Sequence, residues 1–160
     1  MVGTLFPGVQ HLQNIHPLVV HFPIAFLLGA ALFYVLAWVL HKDTLATTAF
    51  SLLILGAISA AAAVGTGLYG EEEVMISRSV RAHLLEKHEE LMVTTLCLSI
   101  GLTIWAVLAR PFPKKGRLIF LLVFLGLLVV MSFGADYGAR MVYNYNAGGG
   151  ACSQPIEFTK

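Results

Sequence analysis

The chain reads as an all-α membrane protein, a four-transmembrane-helix bundle with a short surface helix between spans two and three. Three observations predict this. Of 160 residues, 58% are hydrophobic and only 12% charged, more apolar surface than a soluble domain of this size can hide. Four apolar runs each approach the ~20 residues that cross roughly 30 Å of hydrocarbon. Short turns separate the runs, except between the second and third.

The first span covers 17–40. Pro17 suits the first helical turn, where its missing N–H costs nothing. Pro23 cannot donate to the carbonyl of Val19, which predicts a kink beside His21. In a bilayer the freed carbonyl must find another donor. The second span, 46–69, is rich in small residues, among them Gly56, Ala60, Ala63, Gly65, Thr66 and Gly67. Such residues let helix backbones approach closely, which is the default reading; they could equally leave room for a flat cofactor.

After the solvated run Glu71 to Glu73, positions Val80, His83, Leu84, Lys87, His88 and Leu91 share a 3.6-residue face. They predict the surface helix, running into the third span, 91–109. The fourth span is 118–135. Beyond it, Asp136 and Arg140 can pair on one helix face, and Tyr137, Tyr143 and Tyr145 fit an interfacial aromatic belt. Residues 1–146 make a single domain, and 147–160, with its glycine tract 148–150, is expected to be a flexible tail. Apart from a shared His-x4-His spacing, no internal repeat is read.

Loop charge predicts orientation. The turn between spans three and four holds Arg110, Lys114, Lys115 and Arg117 with no acid, and such short turns stay in the cytoplasm. Both termini are therefore expected in the periplasm, for a multi-pass protein of a bacterial inner membrane. The start, Met1 to Asn14, lacks Lys and Arg, so no cleavable signal peptide is expected. A net charge of +1 argues against a nucleic-acid partner. Cys97, inside a span, and Cys152, in the tail, fall at different depths and should not pair.

The main functional lead is histidine. His16 and His21 open the first span, and His83 and His88 lead into the third, which runs in the same direction. Ionisable groups near the hydrocarbon are functional candidates. Five helical residues give about 7.5 Å of rise and roughly 140° of rotation, so neither pair can ligate one ion from a single face. Cross-helix pairing is more natural, His21 with His88 deeper and His16 with His83 nearer water. Two imidazoles from facing helices can hold a b-type haem. A non-haem metal or proton-relay site is a second reading, and plain interfacial histidines a third. His11 and His41 take the third reading. Arg140 could hold a haem propionate by a charge-assisted fork, with Tyr137 beside it. Glu89 and Glu90 could orient His88.

Other chemistry is excluded by motif. His88-Glu89-Glu90-Leu91-Met92 lacks the second histidine of a zinc protease, and no phosphate loop is present. No G-x-S-x-G occurs. The absence of C-x-x-C-H excludes covalent haem attachment.

The segment His16-Pro17-Leu18-Val19-Val20-His21-Phe22-Pro23-Ile24-Ala25 resembles the opening signature of a prokaryotic membrane family, domain of unknown function 2231. The likeness continues through Thr66-Gly67, Leu85-Glu86-Lys87-His88-Glu89 and Gly138-Ala-Arg140-Met141-Val142-Tyr143, and so covers nearly the whole chain. It implies a four-helix inner-membrane protein with redox company, because members accompany Rieske or c-type cytochrome domains. His16, His21 and His88 are motif positions; His83 is not securely one. The closing segment departs from the family pattern at Asn144-Tyr145-Asn146.

The expected function is a b-type cytochrome-like electron-transfer subunit with one or two haems near the periplasmic face. His21 and His88 are the expected axial ligands, with His16 and His83 as a second pair. The expected partners are the lipid bilayer and other membrane redox subunits or a periplasmic cytochrome c. Two alternatives stand beside it. One is a non-catalytic accessory subunit of a larger respiratory or photosynthetic complex; the other is a histidine-based metal or proton carrier. A stand-alone enzyme is the weaker expectation.

Overall fold

A computed structural model describes residues 14–71, 74 and 76–147. Four long helices account for nearly all of them: α1 His16–Leu40, α2 Asp43–Gly70, α3 Arg78–Ala109 and α4 Arg117–Tyr145. Each is long and apolar enough to cross a membrane. Within the most apolar stretch of each helix only 22% to 33% of residues are buried by the rest of the chain. The remainder, such as Leu32, Ile58, Ile104 and Leu125, face outward. That surface needs an apolar solvent, as the composition predicts.

Two boundaries differ from the sequence reading, and the kink expected beside His21 is present. The segment expected as a surface helix is continuous with the third span, because α3 starts at Arg78 and passes through a π-helical turn at Arg81–Leu85. α4 continues past Ala135 to Tyr145. α1 breaks at Val20, between His16–Val19 and His21–Leu40. Pro23 accounts for the break, since its ring nitrogen cannot bond the Val19 carbonyl. The expected tail lies outside the described residues from position 148 on, as do His11 and Cys152. Cys97 is a free, exposed thiol.

Around the bundle, α1 packs on α2, α2 on α3, α3 on α4, and α4 back on α1. The end holding the α3–α4 turn is closed by aromatic rings. Tyr34 is fully buried, its ring centre 5.0 Å from those of both Phe112 and Phe120. Its hydroxyl donates to the Pro111 carbonyl at 3.1 Å. Trp105 packs edge-on against Phe120 at 5.4 Å. Phe112 thus pulls the basic turn onto the bundle, and the Arg117 guanidinium covers the outer face of Phe112 at 5.2 Å as a cation–π contact.

Small residues set the helix spacing at the middle and the other end. A Cβ added at Gly56 would lie 2.6 Å from Leu27 Cδ2, so the Leu27 side chain takes the space that glycine leaves and α2 packs closely on α1. The same holds at Gly134, where an added Cβ would fall 3.1 Å from Leu91 Cβ. Of the two readings of the α2 stripe, close packing is the one realised at Gly56.

The buried positions repeat, against the expectation of no repeat. In α1 they are Pro23, Leu27, Ala30 and Tyr34; in α3 they are Thr95, Ser99, Leu102 and Ala106. Each follows its counterpart by the same distance that separates His16 from His88. In α2, Ala49, Leu53, Gly56, Ala60 and Ala63 precede Phe120, Phe124, Leu127, Met131 and Gly134 of α4 by one constant shift.

Candidate functional site

The opposite end of the bundle is polar, and it is built where helix ends meet. Pro17 lets the chain enter α1 in its first turn. The His16 backbone N–H, an amide without an intrahelical carbonyl, donates to Asn14 Oδ1 at 3.1 Å. The Asn14 side chain lies against Gly70, where an added Cβ would come within 2.8 Å of Nδ2. The start of α1 is thereby fastened to the last turns of α2.

The His16 ring turns inward, half-buried. Its Nδ1 lies 2.9 Å from the Ala63 carbonyl oxygen and 3.3 Å from Thr66 Oγ1. A carbonyl can only accept, so Nδ1 carries the proton. One turn on, Gly67 backs the ring: an added Cβ would sit 3.1 Å from His16 Cε1. His88, on α3, repeats the arrangement against α4. Its Nδ1 donates to the Gly134 carbonyl at 2.8 Å, and a Cβ at Gly138 would sit 3.0 Å from His88 Cε1. The two imidazoles meet edge-on, ring centres 6.2 Å apart and planes at 85°.

With Nδ1–H committed on both rings, Nε2 is the lone-pair nitrogen of each neutral imidazole. Among the described residues neither Nε2 has a hydrogen-bond partner. Anchoring of the far nitrogen by a backbone carbonyl is how metal-bound histidines are oriented. Two imidazoles on opposite sides of one ion, with metal–nitrogen bonds of about 2 Å, place their ring centres roughly 6 Å apart. No group of three or more His, Cys, Asp and Glu suited to an ion occurs among the described residues. An ion here would have two protein donors and open positions.

The expected pairing was a different one. His21 and His83 are exposed, and neither is brought to His88. His16 lies about two turns before Pro23 and shares its buried face, whereas His21 falls off that face. His83 Nδ1 instead bonds the Ser79 carbonyl in its own helix at 2.8 Å. Arg140 is exposed and lies over the Tyr137 ring at 5.7 Å; among the described residues it forms no ion pair with Asp136. Tyr137 packs with a small cluster of Val80, Leu84 and Met141. Glu89 and Glu90 do not orient His88. Glu90 pairs with Lys87 at 2.6 Å, and Glu89 faces Glu71 and Arg81, which themselves form an ion pair. His41 is the left-handed cap of α1, at φ 53°, in keeping with its bland reading.

A haem asks for more than two donors. Its macrocycle must lie between the imidazoles and extend beyond them. The α2 glycines that could have made room are backed by His16 at Gly67, Asn14 at Gly70 and Leu27 at Gly56. Two hollows of the described surface, of about 440 and 340 Å³, lie at Thr47–Arg110 and at Lys87–Tyr137, and neither is lined by His16 or His88. The donor set suits iron, but the packing suits a single ion better than a porphyrin.

Sequence reasoning gave Ala63, Gly67, Gly134 and Gly138 no part beside the histidines. Their signal was the near-equal separation of Gly67 from His16 and Gly138 from His88. A family model described as "Predicted membrane protein (DUF2231)" matches residues 12–150. No curated protein and no solved structure matches the chain.

Proposed function

We propose a function on the premise that the chain belongs to the DUF2231 family of predicted membrane proteins: it is a redox subunit of the bacterial inner membrane whose His16 and His88 hold one late first-row metal ion. The observation that carries this reading is the pair of inward imidazoles, each tied through Nδ1 to a helix carbonyl, with ring centres 6.2 Å apart. Imidazole suits copper, iron and zinc; copper or iron would supply one-electron exchange.

The chain's own residues do the rest. Ala63 and Gly134 fix the tautomers, so both Nε2 atoms stay available as donors. Gly67 and Gly138 hold the rings at their depth. The apolar helices below exclude water, while the polar helix ends keep the site near the membrane surface. With the termini in the periplasm, the site is placed to pass electrons between a membrane donor and a periplasmic carrier such as a cytochrome c. Tyr69 and Tyr143, each 85% exposed, suit a belt at that surface.

The test is elemental analysis and an oxidised-minus-reduced visible spectrum of the detergent-purified protein. About one copper or iron per chain, without a Soret band, supports the reading. A Soret band would restore haem in its place, and a metal-free, colourless protein would end the redox reading. The outward-facing apolar flanks also favour an accessory subunit in a larger membrane complex; that reading predicts co-purifying subunits without bound metal.

A further inference from the structure

We infer that the α1–α2 and α3–α4 hairpins are two copies of one unit related by a pseudo-two-fold axis along the bundle, and that His16–Gly67 and His88–Gly138 are equivalent half-sites meeting on that axis. Gly67 and Gly138 are then positioning residues, one for each imidazole. That the half-sites take one ion rests on the function proposed above; their equivalence does not.

Three independent observations agree. The first is topology. In the ring α1-α2-α3-α4, exchanging α1 with α3 and α2 with α4 restores every helix neighbour and every helix direction. The second is the buried register, which repeats along both helix pairs without a slip. The third is the site itself. Each histidine donates Nδ1–H to the carbonyl four residues before the glycine that backs its ring, Ala63 before Gly67 and Gly134 before Gly138. A chance likeness would not reproduce donor atom, acceptor position and backing glycine together.

Size exchange explains why the repeat is hard to see in the sequence. In the first hairpin Leu27 of α1 fills the space over Gly56 of α2. At the matching positions of the second, Ser99 is the small residue and Leu127 the large one. Tyr34 and Ala49 likewise correspond to Ala106 and Phe120. A core keeps its total volume when large and small partners swap helices, so residue identity was lost while the burial pattern stayed.

Metal binding is a consequence of equivalence that can be separated from it. An added methyl at either glycine meets the imidazole edge at 3.0–3.1 Å, tighter than ordinary contact. The ring must shift by a few tenths of an ångström, and its Nε2 with it. Gly65, Gly101 and Gly126 have nothing within 4 Å of an added Cβ, so their alanine variants are controls for helix propensity alone.

The experiment is side-chain 15N NMR of histidine-labelled full-length protein in nanodiscs, with copper titration of the same samples. G67A should move the ring-nitrogen resonances of His16, and G138A those of His88, while G65A, G101A and G126A leave both in place. Each site variant should weaken copper binding by a similar factor, roughly tenfold or more. Effects confined to one of the two glycines, or equal effects from the controls, overturn the inference. If the resonances move as expected but the wild type takes no copper, the equivalence stands and the metal reading falls. If copper binds but only one glycine matters, the equivalence falls and the metal reading stands.

Discussion

The two ends of the bundle are closed by opposite means. At the basic-turn end, Tyr34, Phe112, Phe120 and Trp105 fill the space between helices with rings, and the single buried hydroxyl finds a carbonyl partner. At the histidine end, glycines draw the helices together, and two imidazoles occupy the gap with one nitrogen each uncommitted. The first arrangement fills the space between the helices with apolar rings. The second gives up apolar contact for positioned donors. Stability should therefore reside at one end and ligand binding at the other.

The largest expected effect on this contrast is at the aromatic end. Phe120→Ala removes a fully buried ring and should lower stability by roughly 3–5 kcal/mol, read by denaturant unfolding in mixed micelles. Metal binding by the fraction that remains folded should be unchanged. The converse holds for His16→Ala and His88→Ala. Each should abolish metal retention, read by elemental analysis, while lowering stability by only about 1 kcal/mol for the lost hydrogen bond. His21→Ala and His83→Ala, on exposed positions, should change neither quantity.

Smaller effects sharpen the same division. Gly65→Ala and Gly126→Ala, facing open space, should raise stability by about 0.4–1 kcal/mol through helix propensity, with no change in binding; the thermal midpoint checks this. The smallest expected change is from Thr66→Val. It removes the second, 3.3 Å partner of His16 Nδ1 but leaves the Ala63 carbonyl. Metal affinity should fall by less than either glycine variant causes, measured in the same titration.

Much of the fold was legible because it rests on composition. Four apolar runs, their turns and the kink near Pro23 follow from bilayer thickness and the missing proline N–H. The continuity of α3 was legible as a surface helix running into the third span, but the π turn at Arg81–Leu85 within it was not. At the site, the sequence singled out both His16 and His88 but paired each with another histidine, and the structure brings these two together. Depth along a span can be counted, and azimuth follows the helix repeat: His16 lies about two turns before buried Pro23 on the same face, whereas His21 falls off that face and is exposed. The backing glycines were read as generic close packing because their meaning depends on a neighbouring helix. Still, all four segments that carried the family resemblance meet here, through His16, Thr66-Gly67, His88 and Gly138. The register shared by the two hairpins was hidden by the exchange of large and small residues between helices.

The most direct test of the central claim is X-ray absorption at the metal edge of the purified protein, counting imidazoles around the ion in wild type, H16A, H88A and H21A. The account predicts two imidazoles per ion in wild type and H21A, and no retained ion in H16A or H88A. An ion still held in both H16A and H88A, or one lost in H21A, would contradict it.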